Sequence, residues 1–565
     1  MASAKVYDVI VVGSGASGGW VAKELTESGL EVLMLEAGPP RVPTKDFTEH
    51  VWPYQLKYRG FGNKRALLEK QPVQRLCYAC DDYSHQFFVN DNEHPYTTPV
   101  DKPFMWIRGR QVGGKTFCWA RESYRYSDYE FKAASLDGYG EDWPFSYQDL
   151  EPYYERVEDF IGVSGSKEGL EQMPDGKFLP PMNLSCGSLL AKKVIEEKFG
   201  WRVMPDRVAN LTVPHNGRPA CHYCDQCQRG CYTASYFNSP SVTLPAAART
   251  GRFTLVSDAV VSHVVMDRDE PRARGVHYIE RTTRSQRESY AKVVVLAAGA
   301  LESTRILLNS RPGRFPSGVG NSEGVLGHYL MDHFTIEGGG GVMPSLNSSK
   351  REPTGNPAGF LIAKYANAGR ERNRNLLRGY RFDGDAHQDL YRQAFDTPGF
   401  GLGLRKRVRD DVPYYYSIEA QGECLPNHSN FVELDSEVKD AWGIPALRIH
   451  ASYGENEHAQ AKAMRHDLMN IMEALKLESV RMPSETLSVF GKNIHECGTA
   501  RMGADPKKSV LNAYNRVHDV KNVFVTDGAS FVTQGCYEPT LTIMAVSCRA
   551  ADYIAEEFKK GTFSG

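Results

Sequence analysis

Four cysteines lie close together near the middle of the chain, in the stretch ACHYCDQCQRGCYTAS. Their spacing is C-x2-C-x2-C-x3-C. Disulfide bonds fit this run badly, because neighbours this close would strain one another. Thiolates at x2 spacing suit tetrahedral zinc, although zinc sites more often use two separated C-x2-C pairs. Because the compact run matches the ligand spacing of bacterial ferredoxins, we expect an iron–sulfur cluster and keep zinc as the alternative. The candidate ligands are Cys221, Cys224, Cys227 and Cys231.

A glycine-rich turn near the N-terminus has the residues needed to hold phosphate groups. Gly13, Gly15 and Gly18 form G-x-G-x-x-G directly after the apolar run VIVV, and a helical pattern follows them. The first glycine allows a tight turn, the second lets the backbone approach a pyrophosphate, and the third lets the helix pack closely on the sheet. The phosphates would then contact backbone N–H groups at the helix N-terminus, where Ala16 and Ser17 lie.

Glu36 ends the second predicted strand, 18 residues after Gly18. A carboxylate at this position accepts hydrogen bonds from the ribose hydroxyls of a dinucleotide. Strand, turn, helix, strand and acid together predict a Rossmann-like module, which binds either NAD or FAD. The position of this module at the start of the chain favours FAD.

Three later segments identify the family that this chain resembles. They are RGRQVGGKTFCWARESYRYSDYEF from Arg108, AKVVVLAAGALESTRILLNS from Ala291, and a third from His495 onward that contains HECGTARMG and NVFVTDGASFVTQGCYEPTLTIMAVSCRAADYI. Together with the N-terminal module they resemble the glucose–methanol–choline (GMC) oxidoreductases. The resemblance covers both ends of the chain. It implies an FAD-dependent enzyme that oxidises an alcohol by passing a hydride to the flavin.

The same segments supply the residues that the resemblance assigns to FAD. Gly113 and Gly114 would bring backbone close to the flavin, and Asp527 with Gly528 follows a predicted strand. In the family this last segment caps the ribityl and pyrophosphate groups, so FAD would be held from both ends of the chain. The alternative for Asp527 is a helix N-cap carboxylate. The other cofactor-binding residues expected from these segments are Arg110, Ala298 and Thr540.

Cys118 lies four residues after the second glycine of the pair at 113–114. Some family members carry a histidine there that is linked covalently to the flavin. The cysteine predicts a non-covalent FAD, with a thioether link through Cys118 as the alternative.

The expected catalytic pair consists of His495 and Glu538. His495 matches the family motif H-x-x-G-T, and a histidine suits a base that takes the proton of the substrate hydroxyl. The second position is usually His or Asn just before P-T-L-T, whereas YEPTLT supplies Glu538. A carboxylate near His495 would raise the pKa of the imidazole, and it could accept a hydrogen bond from a substrate hydroxyl. The alternative is a buried structural acid paired with a nearby arginine.

Within the family, the cysteine-rich stretch resembles the iron–sulfur loop in the large flavoprotein subunits of bacterial sugar dehydrogenases. One such enzyme type uses three ligands spaced C-x5-C-x3-C, which Cys221, Cys227 and Cys231 reproduce. This pattern favours a [3Fe–4S] cluster, and a [4Fe–4S] cluster with Cys224 as fourth ligand is the alternative. Because a cluster passes electrons on singly, the loop favours a dehydrogenase over an oxidase that uses O2.

The expected reaction is therefore oxidation of a sugar or glycoside hydroxyl, with C3 of glucosides as the first choice. Glucose, gluconate or polyol dehydrogenation is the runner-up. An electron-transfer or structural subunit without substrate chemistry is disfavoured by His495 and the intact flavin motifs. Related large subunits associate with a small subunit that carries an export signal, and sometimes with a c-type cytochrome. The resemblance thus predicts these partners and a periplasmic location by co-export, with cytoplasmic residence as the alternative.

Charge and hydropathy argue against two further kinds of partner, nucleic acid and a membrane. The formal net charge is −2, from 67 basic and 69 acidic residues, and no basic run stands out, so we expect no nucleic acid. No apolar run approaches the roughly 20 residues of a membrane-spanning helix, so we expect no membrane span. The N-terminus enters a strand at once, which leaves no room for a signal peptide.

An α/β fold is expected, with a Rossmann-like domain and a second domain built on an antiparallel sheet with helices. The stretch DSEVKDAWGIPALRIHAS predicts a hairpin near residues 435–452. The FAD-binding domain would combine residues 1–45, 220–335 and 490–565, with the cysteine-rich loop inserted at 219–240, while residues 46–219 and 336–489 would form the substrate-binding domain and the segments that cover FAD.

Overall fold

Two large β-sheets organise the protein, of which the computed structural model describes residues 5–51, 55, 64–346, 358–368, 375–388, 397–410 and 413–563. The first sheet has seven strands and the second has six, and two ribbons of two strands each complete the described β-structure. The predicted α/β class, with a Rossmann-like unit and a second antiparallel sheet, is confirmed.

The first sheet grows from the apolar run at the N-terminus. Its central strands are parallel, and two antiparallel strands extend one edge. Val9 and Val11 point to one face and Ile10 and Val12 to the other, and all four are buried. A parallel sheet is covered on both faces, which is why its strands are continuously apolar. In spatial order the strands are β6 (Phe253–Val256), β2 (Val32–Leu35), β1 (Val6–Val12), β9 (Gln286–Leu296), β8 (Ala273–Glu280) and β7 (Ala259–Met266), and β17 (Val523–Val525) also pairs with β9.

The turn after β1 depends on the absence of side chains. Gly13 has φ +99°, a left-handed conformation that glycine adopts without strain. A Cβ atom on Gly18 would lie 2.0 Å from the carbonyl oxygen of Gly13 and 3.3 Å from Cβ of Ala297. Gly18 therefore lets the first helix pack directly on the turn and on the end of β9, as the sequence predicts.

The second sheet is antiparallel and has its own core. Phe334, Ile336, Phe360 and Ile362 pack on a helix that contributes Leu468. Because sheet and helix each bury one apolar face, the two layers stabilise one another. In spatial order the strands of this second sheet are β16 (Glu478–Arg481), β10 (Phe334–Val342), β13 (Tyr415–Gly422), β12 (Tyr380–His387), β11 (Phe360–Ile362) and β5 (Val203–Pro205).

The two ribbons are small. The predicted hairpin is present as β14 (Phe431–Lys439) and β15 (Pro445–His450), which pair antiparallel. β3 (Val163–Ser164) and β4 (Phe178–Leu179) form the other pair. The domain ranges expected from the sequence stay a prediction, although the strands of the first sheet all lie inside the ranges assigned to the FAD-binding domain.

Helices cover both sheets, and α1 packs between α8 and α12. No helix in the described ranges combines the length and apolar character that a bilayer crossing requires. The α-helices are α1 (Ala16–Glu27), α2 (Pro43–Asp46), α3 (Lys64–Lys70), α4 (Asp128–Phe131), α5 (Ala133–Asp137), α6 (Tyr147–Ile161), α7 (Cys186–Phe199), α8 (Thr243–Arg249), α9 (Ala300–Asn309), α10 (Gly401–Asp410), α11 (Glu455–Ala474) and α12 (Thr540–Lys559). Single 3-10 turns lie at Gln74–Leu76, His85–Phe87, Gly114–Phe117, Cys227–Arg229, Ser239–Ser241, Pro344–Leu346 and Gly528–Ser530.

The packing of α1 on the glycine turn generates a prediction. Gly18→Ala forces a methyl group against the Gly13 carbonyl, so the backbone must shift, at a cost of about 1–3 kcal/mol. We expect the thermal midpoint of the protein to fall by several degrees. The matched control is Gly313→Ala, since a Cβ there meets no atom within 4 Å. Equal melting temperatures for the two variants would contradict the proposed close packing.

Candidate active site

A cleft opens where the carboxyl ends of four parallel strands meet. Gly13 follows β1, Glu36 follows β2, Ala297 follows β9 and Asp527 lies just beyond β17, and all four residues line the cleft. In open α/β sheets, ligands bind at this edge of the sheet. The cleft therefore lies where the strand order alone would place a cofactor.

Three helices begin at this cleft. Gly15, Gly299 and Pro539 are the N-cap residues of α1, α9 and α12, and all three line it. None of these N-cap residues caps its helix with its own side chain. The first-turn N–H groups therefore have no acceptor from the N-cap residue, although the Gly299 amide donates to Asp527. Helix N-termini carry partial positive charge and bind anions. Their convergence fits the pyrophosphate of a dinucleotide.

The predicted phosphate-binding residues are brought together at the start of α1. Gly15, Ala16 and Ser17 all line the cleft. A Cβ atom on Gly15 would have no protein atom within 4 Å, so the space beside this residue opens into the cleft. The Ser17 hydroxyl shares a hydrogen bond of 2.8 Å with Thr526, which ties α1 to the segment after β17.

Glu36 lies at the end of β2, as predicted. Its Oε2 accepts hydrogen bonds from the Ser14 hydroxyl at 2.6 Å and the Ser14 amide at 3.1 Å, and its Oε1 accepts one from the Gly38 amide at 2.9 Å. Burial raises the pKa of Glu36, while these bonds oppose the shift. A carboxylate offers about four acceptor positions, so one remains for a ribose hydroxyl.

Asp527 fits both roles considered for it. It lines the cleft, and it is also the N-cap of the 3-10 turn Gly528–Ser530, because its Oδ1 accepts a hydrogen bond from the Ala529 amide at 3.0 Å. Its other oxygen accepts one from the Gly299 amide at 2.9 Å. Asp527 thus joins β17 to the start of α9. Three more predicted cofactor residues line the cleft, namely Ala298, Gly528 and Thr540.

The segment around the paired glycines closes one side of the cleft. Gly114 and Arg110 line it, and Gly113 donates its amide to the Ser14 hydroxyl at 2.8 Å. Arg110 pairs with Glu302 at 2.8 Å through Nη2, while its buried Nη1 has no hydrogen-bond partner among the described residues. A cofactor acceptor group would satisfy this nitrogen.

Cys118 lies apart from the cleft lining. It belongs to a buried apolar cluster with Phe87, Phe117 and Ile107, and burial raises the pKa of its thiol to about 12. Its sulfur lies 3.7 Å from the Lys115 carbonyl oxygen. This placement gives no support to a thioether link and is compatible with the expected non-covalent FAD.

His495 lines the cleft next to a second, buried histidine that no motif identified. The Nδ1 atoms of His495 and His333 are 2.9 Å apart, and Nε2 of His333 is 2.9 Å from the carbonyl oxygen of Gly535. A carbonyl only accepts, so Nε2 of His333 carries the proton. In neutral His333 the Nδ1 atom is then an acceptor, and Nδ1 of His495 donates to it. Nε2 of His495 is left with a free lone pair.

The charge state of the two histidines supports this assignment. Burial lowers the pKa of His333 well below its ordinary value, and the neighbouring His495 adds to the shift. Burial also lowers the pKa of His495 to about 4, although the Glu538 carboxylate opposes the shift. Glu538 does raise the pKa of His495, as expected, but desolvation outweighs the carboxylate, so the net shift is downward. Both rings are neutral at pH 7.

The backbone around His495 is strained and held in place. Ile494 has φ +64°, which is unfavourable for a β-branched residue. Asp332 accepts hydrogen bonds from the amides on both sides of Ile494. The distance is 2.9 Å to the His495 amide and 3.2 Å to the Asn493 amide. Such strain costs of order 1–3 kcal/mol and persists only where surrounding contacts impose it. Asp332 therefore fixes the direction in which His495 faces the cleft.

Glu538 is placed as the alternative foresaw, beside an arginine. Its Oε1 accepts hydrogen bonds from Arg381 and, at 3.1 Å, from Gln421. Burial opposes the ionised form, yet Arg381 holds the pKa of Glu538 below its ordinary value. Arg381 also contacts Glu122, whose pKa is raised well above normal by burial and by Glu538. Glu538 is not part of the cleft lining and influences His495 through its charge.

Unpartnered polar atoms surround His495. Within the described ranges, the buried Oε1 atoms of Glu496 and Gln534 and the buried Nδ2 of Asn493 lack hydrogen-bond partners. The Gln534 amide donates to the carbonyl of His495 at 2.6 Å, and Glu496 is paired with Lys115 at 2.9 Å. Buried polar atoms are normally satisfied. Of these three residues Glu496 lines the cleft, so its Oε1 fits a hydroxyl group of a bound ligand.

The cysteine-rich loop packs behind the cleft. Cys227 and Cys231 are buried with Tyr236, and Cys221 and Cys224 are half-buried. All four are free thiols, so no disulfide forms there. No three of them bring their sulfur atoms within 4.8 Å of one another, so their described arrangement is wider than a single tetrahedral zinc requires. The iron–sulfur cluster expected from the sequence stays a prediction.

Comparison with known proteins identifies the family. Two family models, both described as GMC oxidoreductase, match residues 7–335 and 426–547. The chain therefore belongs to the GMC oxidoreductase family. FAD is the cofactor that family membership and the cleft geometry support.

Two relatives match over nearly the whole chain. The fructose dehydrogenase large subunit of Gluconobacter japonicus is 29% identical over 574 residues, with 98% of each chain covered. The 2-methyl-1,2-propanediol dehydrogenase of Mycolicibacterium austroafricanum is 30% identical over 573 residues, covering 98% of this chain and 96% of that one. A solved structure of pyridoxine 4-oxidase from Mesorbium loti has the same fold, with a TM-score of 0.63 at 16% identity, covering 97% of this chain and 99% of that one.

The histidine pair generates a prediction about the tautomer of His495. His333→Leu removes the acceptor for Nδ1–H, so the wrong tautomer becomes accessible and substrate-driven flavin reduction should slow about 10²-fold or more. His333→Gln keeps an acceptor and a donor and should retain most of the rate. KM should change little in both, since His333 is not part of the cleft lining. Stopped-flow absorbance measures the rate, and bound flavin per chain checks folding. Equal rates in the two variants would refute the relay.

Proposed function

We propose that this protein is an FAD-dependent dehydrogenase that oxidises a CH–OH group of a sugar or related polyol. The observation that carries the proposal is the unprotonated Nε2 of His495 in the cleft, beside the buried Oε1 of Glu496, which has no partner among the described residues. The two whole-length relatives are dehydrogenases of a sugar and of a diol by name, which supports the substrate class.

The residues of this chain supply binding and proton transfer. FAD, when bound, provides the hydride acceptor. Nε2 of His495 takes the proton of the substrate hydroxyl, and His333 keeps the ring in the tautomer that allows this. The resulting imidazolium is stabilised by the Glu538 carboxylate, which favours the charged ring. Glu538 is thus proposed to support His495 and not to act as a second base.

The finer proposal is oxidation at C3 of a glucoside to a 3-keto product. It is supported by the resemblance of CHYCDQCQRGC and the following ASYFNSP to that branch of the family. A hydroxyl in the middle of a pyranose ring has neighbours on both sides. Glu496, which lines the cleft next to His495 and has an unpartnered Oε1 among the described residues, suits one such neighbouring hydroxyl.

Electrons are proposed to leave through the cysteine-rich loop. An iron–sulfur cluster, when bound, passes electrons on one at a time. Its proposed ligands are Cys221, Cys227 and Cys231, which suits [3Fe–4S]. Support comes from packing: Lys115, Thr116 and Trp119 line the cleft, while the Phe117 carbonyl accepts a hydrogen bond of 2.6 Å from Tyr236 beside Cys227 and Cys231. One short segment thus separates the loop from the cleft.

A partner subunit and export follow from the same proposal. The relative from Gluconobacter japonicus is called a large subunit, which supports assembly of this chain with a smaller one. We propose that the small subunit carries the export signal, that a c-type cytochrome is the acceptor, and that the complex works in the periplasm.

The substrate proposal predicts the position of the new carbonyl. The holoenzyme, given methyl glucoside, glucose or gluconate with an artificial acceptor, should convert methyl glucoside to its 3-keto product, located by NMR. His495→Ala should slow flavin reduction by about 10²–10⁴-fold, whereas the exposed control His458→Ala should not. With a pKa near 4 for His495, the rate should be flat above about pH 5.5 and fall at lower pH, as Nε2 is protonated.

A product with its new carbonyl at C1 or C2 would contradict the proposed oxidation at C3. The broader proposal of sugar oxidation would still hold. An unchanged rate of flavin reduction in His495→Ala would remove the base assignment altogether.

The electron path predicts a separate phenotype. Cys227→Ser should lose iron and most turnover with an external acceptor, yet keep substrate-driven bleaching of the flavin, because the cleft is untouched. Cys186 is an exposed thiol at the start of α7, and Cys186→Ser is the matched control that should keep both activities. Iron assay and anaerobic absorbance provide the readouts. Full iron content in Cys227→Ser would exclude it as a ligand.

A further inference from the structure

We propose that Glu49, His50 and His222, with Cys224 as fourth ligand, form a binding site for a divalent transition-metal ion such as zinc. None of these residues lines the active-site cleft. The site does not depend on the proposed sugar oxidation. It is compatible with a [3Fe–4S] cluster on Cys221, Cys227 and Cys231, and it excludes the alternative [4Fe–4S] cluster that uses Cys224.

The geometry of three side chains carries the proposal. One ligand atom from each of Glu49, His50 and His222 lies within 4.8 Å of the other two, and this is the one group of three or more such residues found in the described ranges. Nε2 of His50 is 3.4 Å from Oε1 of Glu49. The rings of His50 and His222 have their centroids 5.4 Å apart. Both imidazoles are exposed and can turn toward one ion.

The buried carboxylate of Glu49 is a second, independent observation. Its side chain is 2% exposed, and His50 is the one basic side chain in the described part of the chain within 4.0 Å of it. Oε1 accepts a hydrogen bond from the Tyr232 amide at 2.5 Å. A buried carboxylate is costly unless its charge is compensated. A divalent cation between Glu49 and the two imidazoles provides this compensation.

Cys224 is proposed as the fourth ligand. It is not a member of the group whose ligand atoms all lie within 4.8 Å of one another, so the two exposed imidazoles must turn for all four residues to reach one ion. The Cys224 sulfur lies 3.8 Å from Oε2 of Glu49. Two ligands of one tetrahedral zinc, with Zn–S of about 2.3 Å and Zn–O of about 2.1 Å, are about 3.6 Å apart.

The donor set selects the class of metal. Two imidazoles, one carboxylate and one thiolate form a mixed nitrogen, oxygen and sulfur set that suits zinc and excludes the all-oxygen preference of magnesium and calcium. The ion would join residues 49–50 to residues 222–224. Next to these residues, the Thr48 amide already donates a hydrogen bond of 3.0 Å to the Arg229 carbonyl. The metal would therefore add a second link between the cysteine-rich loop and the segment after α2.

The test uses the full-length holoenzyme, stripped with EDTA and then dialysed against zinc sulfate. We expect one zinc per chain by mass spectrometry, and a zinc-edge absorption spectrum that fits one sulfur at about 2.3 Å and three nitrogen or oxygen atoms at about 2.0–2.1 Å. Iron does not interfere at this edge. Absence of bound zinc, or a shell of three or four sulfurs, would overturn the proposal.

Variants separate this site from the other cysteines. His222→Ala, Glu49→Gln and Cys224→Ser should each weaken zinc binding at least about tenfold in a chelator competition. The exposed control His466→Ala, on α11, should bind as the wild type does. Cys227→Ser should also keep its zinc. Unweakened binding in His222→Ala, or loss of zinc in Cys227→Ser, would overturn the assignment. Bound flavin and thermal midpoint verify that each variant is folded.

Discussion

The hydrogen-bond relay from the Gly535 carbonyl through His333 to His495 is the interaction on which the proposed chemistry depends. A neutral imidazole has one N–H group, so a partner at one nitrogen decides what the other can do. The carbonyl can only accept, and burial keeps both rings uncharged. The direction of every proton in the relay is thereby set by one backbone oxygen, 40 residues away from the base along the chain.

The cleft that receives this base is shaped mainly by backbone. Strands β1, β2, β9 and β17 end at one edge, and three helices start there without capping side chains. Glycine or small residues border the space for the cofactor, as at Gly15, where a Cβ atom would meet no protein atom within 4 Å. Binding of an anionic cofactor therefore rests on main-chain dipoles, whereas the second sheet contributes His333 just before β10 and Arg381 on β12.

The sequence predicts much of the first sheet and of the cofactor cleft, because short-range spacing determines both. Gly13, Glu36 and Asp527 each follow an apolar run that forms a parallel strand. The carboxyl ends of parallel strands lie at one edge of the sheet, so the fold brings these residues together. The predicted hairpin at β14 and β15 is likewise a local pattern.

Contacts between segments far apart in the chain could not be predicted from short-range spacing. His333 lies in no motif, and its pairing with His495 depends on how β10 enters the second sheet. The net pKa of His495 could not be predicted, because burial, which no motif reveals, outweighs the raising effect of Glu538. Arg381 beside Glu538 was anticipated only as a residue type, since no spacing links positions 157 residues apart.

The cofactor cleft joins residues that are far apart in the chain, from Val12 to Ile543. On a translating ribosome, the first glycine turn therefore emerges long before the helix that completes the opposite wall. Until the start of α12 has been made, the nascent polypeptide has no finished pocket for a flavin. Cofactor capture is consequently a late event in the biogenesis of this protein, and a polypeptide that terminates before α12 would lack one wall of that pocket.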